Sequence, residues 1–172
     1  LSYIVVRHSN PPGRVQCYLH VSSGSLNETD RQRGLAHYLE HLAFNGSKNF
    51  PPGTVVPFFQ SLGMTFGRDQ NAFTNMEQTT YQLSLPDPKP ETLSKGLMFL
   101  SDVLTNLLLS SKEIDAERQI ILEERRRGLS GRQRVREYLM RKLAPESIWS
   151  VRETIGTEET ILGVVEKDFR DY

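Results

Sequence analysis

The sequence is poor in cysteine: Cys17 is the only one in 172 residues. No internal disulfide can form, so stability has to come from a buried core, which a chain of this length can build. It also lacks any excess of one charge, with 21 basic and 21 acidic residues. That removes the broad electrostatic case for binding nucleic acid or an anionic membrane. No apolar run reaches the length of a bilayer span, no signal-like stretch opens the chain, and no repeat or low-complexity segment appears. The length suggests a single domain over 1–172. The chain opens on Leu1 and breaks off inside a helical pattern that begins near Glu166, so it is expected to be part of something longer.

Histidine is scarce too, and two of the four fall in His37-Tyr38-Leu39-Glu40-His41. On a helix, residues four apart are neighbours, so His37 and His41 can close on one ion with Glu40 beside them. Two neutral imidazoles suit zinc, and a carboxylate next to the zinc site is the general base of metal-assisted hydrolysis. The order H-x-x-E-H is the inverted zincin motif. A hydrolytic zinc site needs a third protein ligand.

Taken in order, residues 2–7 and 15–22 are rich in β-branched and aromatic residues and flank Asn10-Pro11-Pro12-Gly13, which predicts a hairpin. In the second strand Val15, Cys17, Leu19 and Val21 alternate with polar positions, and His20 falls on the polar face. Asp30 caps a predicted helix to about Phe44, stopped by Asn45-Gly46. A short helix over about 54–62 follows Pro51-Pro52-Gly53, with Thr54 as its candidate cap and Gly63 at its end. Three strands, 64–67, 71–75 and 78–85, read as an antiparallel meander. From Glu91 to Leu108, leucines at 93, 97, 100 and 104 predict a core-facing helix. Ser110 with Glu113 opens another, to about Arg127. A basic amphipathic helix over 132–143 and short helices over 156–162 and 166–172 complete the pattern.

The third ligand is sought on the helix after Ser110. Glu117 and Glu124 stand two turns apart there and share a side, with Ile121 between them. At 1.5 Å per residue they lie about 10.5 Å apart along the axis, so both cannot hold one ion. One would coordinate and the other would orient ligands or water. The competing interpretation is a solvated face rich in Glu and Arg.

His37 to His41 with the following Leu-Ala-Phe-Asn-Gly-Ser-Lys-Asn-Phe, then Asn71-Ala72-Phe73-Thr74, then Glu117 to Glu124, together resemble the pitrilysin (M16) family of zinc peptidases. That family includes insulin-degrading enzyme and the mitochondrial processing peptidase. The resemblance runs from the first hairpin to Ile155-Gly156-Thr157. It implies an α+β domain, a mostly antiparallel sheet with helices packed on one face, and one Zn2+ per chain held by His37, His41 and a later glutamate. Separation from His41 favours Glu117, whereas the family's ligand is the second of a glutamate pair, which favours Glu124. Extra residues around Phe66 to Gln70 account for the longer gap, so Glu124 is taken as ligand and Glu117 as its supporting neighbour.

The resemblance further implies a metalloendopeptidase in which Glu40 is the general base and no covalent intermediate forms. Extended peptides would add to the edge strand carrying Asn71, Ala72 and Phe73, so the substrates would be unfolded peptides or flexible segments. A second M16-like domain or subunit would close the site and supply an Arg and Tyr pair, leaving this piece with low activity alone. The alternative is a non-catalytic structural or partner subunit of the same fold. Neither a nucleic-acid partner nor a membrane span is expected, and a bacterial periplasmic location follows if a signal sequence precedes this stretch.

Overall fold

The computed structural model describes all residues, Leu1–Tyr172. Three strands form one antiparallel sheet: β1 (Val15–Val21), β2 (Gln70–Thr74) and β3 (Thr79–Leu85), in the order β1-β3-β2. β3 is central, pairing Leu19 with Tyr81 on one side and Ala72 with Tyr81 on the other. Period-2 alternation places Cys17, Leu19, Tyr81, Leu83 and Leu85 on one buried face, while Tyr18 and Phe73 stay exposed on the other.

Seven helices accompany the sheet: α1 (Leu35–Leu42), α2 (Val55–Ser61), α3 (Pro90–Thr105), α4 (Ser111–Gly128), α5 (Gly131–Leu143), α6 (Glu158–Gly163) and α7 (Glu166–Asp171). One core lies between the apolar sheet face and α2 and α3, with Phe50, Phe59 and Phe99 at its centre. A second joins α1, α4, α6 and α7 through Leu35, Tyr38, Ile114, Ile121, Ile161 and Phe169. α1 stands between the two. Its apolar stripe, Leu35, Tyr38 and Leu42, faces the second core, which leaves His37, Glu40 and His41 on the adjacent partly open side.

The α+β class and the single covered sheet face agree with the sequence. Several local expectations do not. Residues 2–7 form no strand, and Tyr3, Ile4, Val5 and Val6 are exposed: β1 pairs with β3 alone, and the local turn signal at 10–13 produces no hairpin. Residues 64–67 contribute only an isolated bridge from Phe66 to Gln70, because backbone bonds from Arg68, Asp69 and Gln70 to Thr65 O wind this stretch into a turn. The meander is therefore two strands, and β1 supplies the third. In α3 the buried face is Thr92, Gly96, Phe99 and Leu100, while Leu97 and Leu104 are exposed. Gly96 lets the helix settle onto the sheet, since a Cβ there would come 3.1 Å from Leu85 Cδ1; Leu100 stays in the core, with Leu93 partly buried against it, while Leu97 and Leu104 turn outward.

Asp30 does not cap α1 either. It begins a 3-10 turn (Asp30–Gln32), and α1 starts after Gly34. The cap comes from Glu28, whose carboxylate accepts from Gly34 N and Ala36 N, both at 2.9 Å. These bonds satisfy two of the helix's orphan donors, and the negative charge suits the helix start. Burial nevertheless pushes the Glu28 carboxyl up to about 7. Gly34 (φ +91°) and Gly156 (φ +79°) bring their backbones together: a Cβ on Gly156 would stand 2.4 Å from Arg33 O. Only glycine tolerates both the conformation and the contact.

Candidate metal centre

α4 reaches α1 along most of its length. Ser110 caps it by accepting from Glu113 N. Tyr38 Oη donates to Ile114 O, and Ile121 is fully buried between the helices. Arg118 donates to Leu162 O and Val164 O, each at 2.9 Å, and to Ile161 O, so the end of α6 is tied to α4. With Ile114 and Ile121 facing inward, Glu117 and Glu124 are carried toward the α1 histidines.

There the structure brings together His37, His41 and Glu124, whose ligand atoms all lie within 4.8 Å of one another. His37 Nε2 is 3.7 Å from Glu124 Oε1, and His41 Nε2 is 3.4 Å from Glu124 Oε2. A tetrahedral zinc with bonds of about 2.1 Å holds its ligand atoms about 3.4 Å apart. The donor set, two imidazole nitrogens and one carboxylate oxygen, suits such an ion in type, and the contacts of Glu124 with the two rings are close to its spacing.

Glu117 lies at the other edge of the His41 ring. His41 Nδ1–H donates to Glu117 Oε1 at 2.8 Å, and Asn45 Nδ2 donates to Glu117 Oε2 at 2.7 Å. A carboxylate only accepts, so the hydrogen sits on Nδ1 and a neutral His41 keeps its lone pair on Nε2, the atom facing Glu124. Glu117 is 7 % exposed. Its burial raises the carboxyl pKa, but the bonds from His41 and Asn45 outweigh that and hold it below the ordinary value.

The two histidines differ sharply although their ring centroids are 4.6 Å apart. Burial, reinforced by the positive His41, lowers His37 to about 4. Burial also acts to lower His41, but the hydrogen bonds to Glu117 and Glu124 prevail and raise it to about 9. His37 Nδ1 is buried with no hydrogen-bond partner. Glu40, next to His41, is raised by burial, against a lowering hydrogen bond from Thr74. Thr74 Oγ1 donates to Glu40 Oε2 at 2.5 Å, leaving Oε1 without a protein partner.

Asn71, Ala72 and Phe73 lie on β2, an edge strand whose outer side carries no further strand. Thr74, on the same strand, reaches Glu40. Sequence reasoning missed Asn45 and Thr74 as members of the constellation. Asn45 had served only as a helix stop, and Thr74 only as the end of a strand motif; the sole signal for either was its place inside a motif already noted. His20, on the open sheet face, bonds Ser22 and Thr80 and takes no part. Cys17 is buried in the sheet and unpaired.

Residues 3–146 match the family described as Insulinase (Peptidase family M16). The chain is 34% identical over all its 172 residues to the probable zinc protease PqqL of Escherichia coli, of which it covers 18%. Its fold is similar to the crystal structure of the first half of the periplasmic protease PqqL from E. coli, with a TM-score of 0.90 over 95% of this chain and 35% of that one. It is also similar to the ferredoxin protease FusC solved in complex with Arabidopsis ferredoxin, at 33% identity and a TM-score of 0.86, covering 95% of this chain and 18% of that one. The chain thus spans under a fifth of the length of the curated PqqL relative. Together with the matched span, the resemblance carried by His37 to His41 and by Glu117 to Glu124 is one of descent: this chain belongs to the M16 peptidase family.

Proposed function

We propose that this chain forms the zinc-binding part of an M16 metalloendopeptidase, with His37 Nε2, His41 Nε2 and the Glu124 carboxylate as ligands. The observation that carries this is the convergence of those three groups within 4.8 Å, with Glu117 holding His41 in the tautomer a metal needs. A zinc ion bound there supplies Lewis acidity toward the scissile carbonyl and lowers the pKa of water to near 7. Glu40 is the general base: Thr74 pins Oε2 and leaves Oε1 to take a proton from water and return it to the leaving amine. Burial of Glu40 favours its protonated form, which suits a group that must hold the proton between those two steps.

The substrate is an extended segment of peptide that lies along the free edge of β2, bonding to the backbone of Asn71, Ala72 and Phe73. The edge position of β2 and its direct link to Glu40 through Thr74 support this. The relatives named above are far longer, and the proposal includes a second related domain that closes over the site, excludes water and fixes the peptide in an attack geometry. No helix here is long and apolar enough to cross a membrane. A periplasmic location, stated of E. coli PqqL, is carried to this protein as part of the same proposal.

The test is zinc content of the untreated purified chain together with hydrolysis of an unfolded peptide, using Glu40→Gln as the blank. One zinc per chain, and a low turnover that vanishes on chelation and in the blank, is the expected result. Turnover that persists in Glu40→Gln would overturn the assignment of the base.

A further inference from the structure

His37 and His41 come from α1 and Glu124 from α4, so the three donors meet only if these helices keep one spacing. Two polar bonds join them, Tyr38 to Ile114 O and His41 to Glu117, and both engage α4 about two turns or more before Glu124. A third element ties them close to the donors. The turn at Ile155 and Gly156 lies directly against the beginning of α1: a Cβ on Gly34 would come 2.6 Å from Ile155 O and 2.9 Å from Gly156 Cα. Backbone thus touches backbone, with no side chain between to give way. Thr160 Oγ1 donates to Arg33 O at 2.6 Å, which holds the same junction. The Glu28 carboxylate, on Gly34 N and Ala36 N, fixes the first turn of α1 just ahead of His37.

The same turn also grips α4. Gly156 O accepts from Arg125 Nε at 3.2 Å, and Arg125 is the residue that follows Glu124. Gly156 is therefore a spacer with the His helix on one side and the Glu124 segment on the other. Glu124 itself is half exposed, with 49 % of its side chain accessible, and α4 has no buried residue after Leu122. Packing does not hold the end of α4 in place, so a polar tie has something to decide.

We propose that Arg125 is a positioning residue for the metal centre: through Gly156 it sets how far the Glu124 carboxylate stands from the two imidazoles, and so sets metal affinity. This rests on the zinc assignment above. A ligand whose support is loosened loses affinity because the site must be ordered on binding; outer supporting groups are typically worth 10- to 100-fold.

The experiment measures zinc affinity of the 172-residue chain by competition with a chromophoric chelator, the visible spectrum with cobalt substituted, and the melting temperature of the metal-free chain. Arg125→Met keeps the apolar stem and removes the donor. It is expected to weaken zinc binding about tenfold and to alter the cobalt spectrum, with the metal-free melting temperature unchanged. Gly156→Ala is expected to lower affinity further; should it fail to fold, Arg125→Met decides alone. Unchanged affinity in Arg125→Met, or a lower melting temperature with affinity and spectrum intact, overturns the inference and leaves the zinc assignment standing. A parent chain that binds no zinc overturns both.

Discussion

α4 and α5 are nearly the same helix on paper. Each begins after a serine that accepts from the backbone N–H three residues on, Ser110 from Glu113 and Ser130 from Gln133. Each is rich in charge and closes on basic residues. Yet α4 buries Ile114, Glu117, Ile121 and Leu122, whereas α5 buries nothing and exposes Val135, Tyr138, Leu139 and Leu143. The difference is a partner. α1 and α6 meet α4 on its apolar side, and once that face is covered two of its glutamates are drawn against histidines. A charged helix gains the makings of a site where its acids meet groups they can bond, Glu117 buried and Glu124 half exposed. α5 shows the same composition without that step.

The largest effect should come from the acids of α4. Glu124→Gln is expected to abolish stoichiometric zinc binding in metal analysis. Glu117→Gln, acting only through His41, is expected to weaken it 10- to 100-fold. If Glu117→Gln strips the metal and Glu124→Gln does not, the roles are reversed. Next comes the apolar face. Ile121→Ala should cost about 3 kcal/mol in denaturant unfolding, since a fully buried isoleucine leaves a cavity. Leu139→Ala on α5 should stay within about 0.5 kcal/mol, and equal losses would erase the contrast between the helices.

A third test concerns the acid at the start of α1, buried like Glu117 but shifted the opposite way. The folded value of about 7 for Glu28 lies above its ordinary 4.5. Between those values the native state holds more protons than the unfolded chain. Its contribution is therefore fully present below about pH 4.5 and is lost as pH rises through about 7. Melting curves across that window should show a slope in the parent that Glu28→Gln removes; identical slopes would contradict it. The smallest effect is at the caps. Ser110→Ala should cost about 1 kcal/mol, and Ser130→Ala less, because fraying α5 uncovers no core.

Most of this centre could be read from residue spacing. His37, Glu40 and His41 fall on one face because 3.6 residues make a turn, and the same rule aligned Glu117 with Glu124. Which glutamate reaches both histidines depended on the crossing of two helices, information that no local spacing holds. The failures share that cause. Residues 2–7 have every local mark of a strand, yet the outer edge of β1 stays unpaired. The leucines of α3 divide: Leu93 and Leu100 meet the core, while Leu97 and Leu104 face out, because the close approach of Gly96 to Leu85 sets which side lies on the sheet. Glu28 caps α1 from six positions before Gly34, across an intervening turn, where the rules for helix starts do not look.

If peptide pairs with β2 as proposed, the bond from Thr74 to Glu40 would make that strand a ruler. Its free edge offers backbone groups at about 3.4 Å per residue, and its last hydroxyl grips the carboxylate beside the histidines. On the proposed substrate mode, a peptide laid along that edge would be measured against Glu40 by the strand itself, with no side chain of the peptide consulted. A slip of one residue would turn every peptide side chain to the other face and carry a different bond to the site. The position of a cut would then be counted from where pairing begins, and not from which residues flank it.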